Sequence, residues 1–421
     1  MKISAFCAAI LACVGISPSP PAEAQVDQQR AQEYFKEAQA LCERDGGRLW
    51  GVSLCAPMVI ADMRTQTFAT SQPAPEGARP RLIGLVNAPL EWGGMTWGAY
   101  VWDFAVNETR RGRNELLLHE LFHGIQPRLG LTVPALAAEH LDAVDGRFWL
   151  RLEWRALARA VRESGAQRVA AVGDALTFRQ ARHALYSGSA ESERAAEITE
   201  GLAQYTGTVL AASSPADAVA SGLEQLAAAE KQDSFVRTFA YTSGTAYGLL
   251  LDASSPGWTR RVRNTDDLAT LLTNALGVQP AGNAMAAAAR YGGADLRAAE
   301  QERDRHQQER VSELRRQFVD GPVLLIRGGG RGSFDSRGAV VIPGSGTVYF
   351  GAFRSAGAWG TLEAEKGVLV EPDGTSRRVA APVRREDGTM SGEGWTFKAA
   401  PGWVVREGAR RGDYEVVRQQ P

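Results

Sequence analysis

Residues 116–126 read LLLHELFHGIQ, and within them His119, Glu120 and His123 combine two metal-binding imidazoles with one carboxylate. Residues four apart on a helix project from the same face, so both imidazoles can reach one ion while Glu120 points beside it. Zinc held by neutral imidazoles lowers its bound water to a pKa of about 7, and a neighbouring carboxylate can take the proton as that water attacks a carbonyl. His119 and His123 are therefore the expected metal ligands and Glu120 the expected general base. Leu118, Leu121, Phe122 and Ile125 form a stripe that packs the helix and fixes where the histidines point. The plain alternative is a capped or core histidine pair.

A catalytic zinc needs a third protein ligand and one open position. The metzincin pattern is excluded, because Gln126 and Leu129 stand where it requires Gly and His. His140, Asp142 and Asp145 follow in EHLDAVDGR, where one acid could accept a hydrogen bond from a ligand N–H. Glu200, in AAEITEGLAQYTG, is the stronger candidate. A helix there places Glu197, Glu200, Gly201 and Gln204 on one face, and Gly201 would let its backbone come close to the metal helix.

With HELFH and, later, TEGLAQY, the chain resembles the gluzincin metallopeptidases, in particular the aminopeptidase N and leukotriene A4 hydrolase group. The resemblance implies zinc bound by His119, His123 and Glu200, with Glu120 as general base. AYTSGTAYGLLLD looks like the same group's Tyr-x-x-Gly segment opening a helix, which would make Tyr241 the phenol that stabilises the oxyanion, with Tyr247 as fallback donor. The likeness covers roughly residues 113–251. Thr199 replaces the family's Asn, the distance from His123 to Glu200 is longer than in the family, and no Gly-Ala-Met-Glu-Asn-like strand is present to bind a free substrate amine. NAPLEWGGMTWG, residues 87–98, is a candidate strand edge for an extended peptide, with Trp92 and Trp97 as its test positions.

The elements that position these residues read as follows. MKISAFCAAILACVGISPSPPAEAQ sets Lys2 before an apolar run and ends in Ala22-Glu23-Ala24, which fits a secretory signal cleaved near Ala24. Leu11-Ala12-Cys13 offers lipid anchoring at Cys13 as an alternative. A mature chain would keep Cys42 and Cys55, which Gly46-Gly47 can bring together as a disulfide in an oxidising compartment. No later stretch is apolar enough to span a membrane. A formal charge of −1 and the absence of a basic block with interleaved aromatics leave nucleic acid outside the expected partners.

The periodicity predicts an α+β protein. Residues 25–112 read as one amphipathic helix and a small mixed or antiparallel sheet, with Ala31, Tyr34, Phe35, Ala38 and Leu41 on the helix's inner face. Residues 113–318 read as a mainly helical zinc metallopeptidase-like domain. In it Leu150, Trp154, Leu157 and Val161 form one buried stripe, and the charged run RAAEQERDRHQQERVSELRRQF a largely solvated helix. Residues 321–421 read as a β-sandwich or barrel with turn-forming Gly clusters, among them GGGRG at 328–332.

These observations together predict a secreted or periplasmic zinc hydrolase, read as a peptidase acting on a peptide or protein substrate. Two rivals stand beside it. One is a catalytically silent envelope protein whose zinc is structural, closed by a fourth ligand such as His140, and whose β-domain binds a partner. The other is a zinc hydrolase of non-peptide substrates.

Overall fold

The computed structural model describes residues 26–62, 65–76, 87–134, 136–280, 282–334, 338–384 and 389–419; the expected signal segment, with Cys7 and Cys13, lies outside them. The protein is α+β, and its chain divides into two compact units. One comprises Met1–Ala138, Glu153–Glu230 and Arg237–Ala281, the other Glu139–Leu152, Lys231–Val236 and Gly282–Pro421. Among the described residues no helix is long and apolar enough to cross a membrane.

In the first unit, Asp27 caps helix α1 (Gln28–Asp45) by accepting from the Arg30 N–H, and Gly46 ends it in the left-handed conformation that glycine adopts without strain. Ala31, Tyr34, Phe35 and Ala38 face inward as the spacing predicts; Leu41 is only half-buried, and Cys42 completes the stripe. Cys42 is bonded to Cys55, and the loop this closes carries Trp50 into the core, its ring 4.8 Å from that of Phe122.

A four-stranded sheet follows, from β1 (Met58–Asp62), β2 (Thr67–Thr70), β3 (Ala88–Trp92) and β4 (Met95–Val101), in the order β2-β1-β4-β3. β1 and β4 run parallel and the other pairs antiparallel, which leaves β3 at an edge. The sheet leads through α2 (Trp102–Asn107) into α3 (Arg110–Ile125), whose Leu117 carbonyl accepts from the Tyr100 hydroxyl of β4 at 2.8 Å.

Among the described residues this unit also holds the part of α4 (Val144–Arg162) from Glu153 onward, with α5 (Gly165–Leu185), α6 (Ser189–Ala196), α7 (Leu202–Ala211), α8 (Pro215–Ala229), α9 (Phe239–Ser254) and α10 (Leu268–Leu276). α6 and α7 are joined without a break by a π turn over Glu197–Gly201. α9 is buried along nearly its whole length and receives α7 at a bare backbone contact, since a Cβ added to Gly244 would lie 2.3 Å from the Cα of Gly201. α7 meets the metal-candidate helix α3 at a different glycine: a Cβ on Gly207 would lie 2.4 Å from the Glu115 carbonyl oxygen. The close approach expected of Gly201 toward α3 is therefore made by Gly207, one and a half turns further along, and Gly201 faces α9 instead.

The second unit contains α11 (Ala284–Ala288), α12 (Gly293–Arg315) and a β-sandwich. α12 is mostly exposed, as its charge pattern predicts; it buries Gly293, Leu296, Leu314 and Glu300, the last of which accepts from Arg147, Arg151 and Arg303. Among the described residues thirteen strands follow: β5 (Val323–Arg327), β6 (Arg331–Ser333), β7 (Val340–Ile342), β8 (Gly346–Tyr349), β9 (Phe353–Gly357), β10 (Gly360–Ala364), β11 (Val368–Val370), β12 (Ser376–Ala380), β13 (Val383–Arg384), β14 (Met390–Gly392), β15 (Trp395–Ala399), β16 (Trp403–Glu407) and β17 (Tyr414–Arg418). They form one sheet of order β13-β14-β15-β10-β9-β6 and another of order β16-β17-β5-β12-β11-β8-β7. Leu324 and Ile326 of the second sheet share a core with Leu362, Phe353 and Phe397 of the first. The Gly-rich 328–330 stretch turns the chain between β5 and β6.

The Gly201–Gly244 contact leaves no room for a methyl group. Gly244→Ala should lower stability by about 1–3 kcal/mol in a urea titration, because α7 and α9 must separate to admit it. An unchanged midpoint would show that the two helices are free to separate.

Candidate metal centre

The histidine helix starts where Thr109 accepts from the Gly112 N–H, and Leu117, Leu118, Leu121, Phe122 and Ile125 bury its inner side. That packing fixes the rotation that brings His119 and His123 together, their Nε2 atoms 3.0 Å apart. From the π turn, Glu200 Oε2 approaches the same point, 3.4 Å from His119 Nε2 and 3.5 Å from His123 Nε2. Glu120 Oε1 stands 4.0 Å from His119 Nε2, and its buried Oε2 has no hydrogen-bond partner among the described residues.

Two ligand sets can be drawn from these atoms. His119, Glu120 and His123 offer ligand atoms within 4.8 Å of one another. The set His119, His123 and Glu200 is tighter, with separations of 3.0, 3.4 and 3.5 Å. Tetrahedral zinc with bonds of about 2.0–2.1 Å keeps its ligand atoms about 3.3–3.4 Å apart. The second set fits that spacing, and Glu120 lies just outside it.

The protonation pattern also suits a cation. Gln126 donates through Nε2 to the carbonyls of Ile198 and Thr199, at 3.0 and 3.1 Å, so its Oε1 accepts from His123 Nδ1 at 2.8 Å. A neutral His123 then carries its proton on Nδ1 and presents an Nε2 lone pair, facing a second imidazole and a carboxylate. Burial alone would raise Glu200, but hydrogen bonds and charge from His119 and His123 outweigh it and hold the carboxyl well below the usual carboxylate range. Burial lowers His119, while in His123 the nearby Glu200 overcomes burial and raises it. Glu120 is pushed up to about 7 by burial, helped by the negative charge of Glu200.

Tyr241, in the first turn of α9, stacks its ring on that of His119 with centroids 5.4 Å apart. Burial, with Glu200 and Glu120 nearby, raises its phenol and keeps it protonated as a donor. Tyr247 does not share this position: it is fully buried and its hydroxyl donates to Glu153 at 2.7 Å, which removes it as the fallback donor.

Glu197 also departs from the expected common face with Glu200. The π turn spreads the two side chains apart, and Glu197 is buried in a bidentate pair with Arg179 at 2.8 Å. Neither Arg179 nor the bonding role of Gln126 was apparent from composition. Gln126 did carry a signal, standing three residues after His123 on the same side of the helix.

A cleft of about 390 Å³ opens over these groups, lined by Glu120, His123, Glu200, Tyr241, Thr199 and, from the start of edge strand β3, Asn87, Ala88 and Pro89. Trp92 and Trp97 are not part of it; they pack with Val59 and Ala99 in the sheet's own core, so substituting them would report on folding rather than on the cleft. No family model, curated protein or solved structure matches the chain.

A carboxyl whose folded pKa lies above its unfolded value favours the fold at low pH and loses that advantage as pH rises between the two values. For Glu120 the window runs from 4.5 to about 7. In chelator-treated protein, Glu120→Gln should therefore be more stable than wild type at pH 8, by at most about 3 kcal/mol, with no gain at pH 4. Equal urea midpoints at both pH values would show that Glu120 is not destabilised by burial.

Proposed function

We propose that the protein is a zinc-dependent hydrolase of gluzincin type that cleaves peptide bonds. The observation that carries this reading is the set of separations of 3.0, 3.4 and 3.5 Å among His119, His123 and Glu200, with Glu120 beside them in an open cleft. Zinc bound by these three residues would polarise a substrate carbonyl and acidify its bound water to a pKa of about 7.

The chain's own groups supply the rest. Glu120 accepts the proton of the attacking water on its unpartnered oxygen and later returns it to the leaving amine. The Tyr241 phenol donates a hydrogen bond to the oxygen on which negative charge develops. Edge strand β3 begins at the cleft and offers backbone groups along which an extended peptide can lie as an added strand, which favours peptides over smaller esters or amides. The Cys42–Cys55 bond supports a secreted or periplasmic setting.

Purified protein should carry about one zinc per chain by elemental analysis, and His119→Ala and Glu200→Ala should each lose it. Glu120→Gln should retain zinc while turnover of a peptide library falls by about 10²–10⁴-fold. Zinc that survives Glu200→Ala would refute this ligand set, and hydrolysis confined to ester or amide panels would refute the peptide substrate.

A further inference from the structure

We infer that Gln126 is a positioning residue that ties the histidine helix to the π turn, setting at once the tautomer of His123 and the place at which Glu200 meets both imidazoles; the inference rests on the metal-centre reading above. Gln126 is 5% exposed and opens the short 3₁₀ turn Gln126–Leu129 that ends α3. Its amide oxygen and nitrogen are both engaged, the oxygen with His123 Nδ1 and the nitrogen with two carbonyls of the π turn.

The π turn creates the need that Gln126 meets. Leu202 N–H donates to the carbonyl of Glu197, five residues back, so the Ile198 carbonyl loses the donor it would have in an α-helix. A buried carbonyl left unpaired is costly, and the Gln126 amide supplies the missing donor from the neighbouring helix. One side chain therefore stabilises the local geometry that aims Glu200 and also orients the ligand that Glu200 must meet.

The residue type follows from this double task. Glutamate has the same length and would accept from His123, but would set a carboxylate against two carbonyl oxygens. Methionine keeps the volume and removes every bond. Groups that orient metal ligands in this way typically contribute 10- to 100-fold to metal affinity.

The test measures zinc affinity by competition with a chromophoric chelator, beside urea melts of the chelated proteins. Wild type is expected to bind one zinc, and Gln126→Glu and Gln126→Met to bind it roughly 10- to 100-fold more weakly, with cobalt(II) spectra altered from wild type. A residue that served the fold alone would lower the melts and leave zinc affinity within about twofold, which would overturn the inference while the metal site stood. Wild type without zinc would instead overturn the metal-centre reading itself. Should the variants not fold, the ¹⁵N spectrum of chelated wild type at pH 8.5 decides. An Nδ1–H tautomer at His123 is expected, and an Nε2–H tautomer sinks the proposal.

Discussion

The candidate site depends on how closely one stretch of backbone, residues 201–207, is allowed to approach two others. Gly201 lies directly on Gly244 of α9, and Gly207 lies against the Glu115 carbonyl of α3. α9 carries Tyr241 in its first turn, and α3 carries both histidines. Bare backbone at the two contacts brings three helices to a separation at which short side chains from each can reach a common point. Larger residues there would fill the space between the helices and draw Glu200 away from the imidazoles.

Close packing alone does not set the direction of Glu200. A cluster of charge does much of that: Arg179 and Arg182 are held by Glu153, Glu193, Glu197 and Asp267 among helices α4 to α6, the π turn and the N-cap of α10. Arg179 clamps Glu197 bidentately, so the upstream end of the π turn is fixed from one side while Gln126 holds its carbonyls from the other. Paired charges in such a setting tolerate little displacement, because separating either pair leaves a charge stranded in a poorly solvated interior.

Much of this was legible in the sequence. The His-Glu-x-x-His spacing on an apolar stripe identified the helix and where its histidines point, and the amphipathic first helix, the small sheet after it and the β-rich residues 321–421 led to the α+β architecture. The turn type between α6 and α7 was not legible. A π turn shifts a few hydrogen bonds by one residue and leaves no mark on hydrophobic period, so Glu197 and Glu200 read as neighbours on one face. Partner choice was equally hidden: Tyr241 and Tyr247 lie on one helix, and the ring stacking of Tyr241 on His119 and the bond from Tyr247 to Glu153 tell the cleft residue from the core residue. Trp92 and Trp97 resembled cleft aromatics because a strand's two faces cannot be assigned without knowing which one is covered.

The π turn also ties the direction of Glu200 to the length of the chain before it. A π turn is what a single inserted residue leaves in an otherwise regular helix, with the surplus absorbed locally and the flanking turns undisturbed. Deleting one residue between Glu197 and Glu200 would remove that surplus, but it would set the two acids two positions apart, on opposite sides of a regular helix.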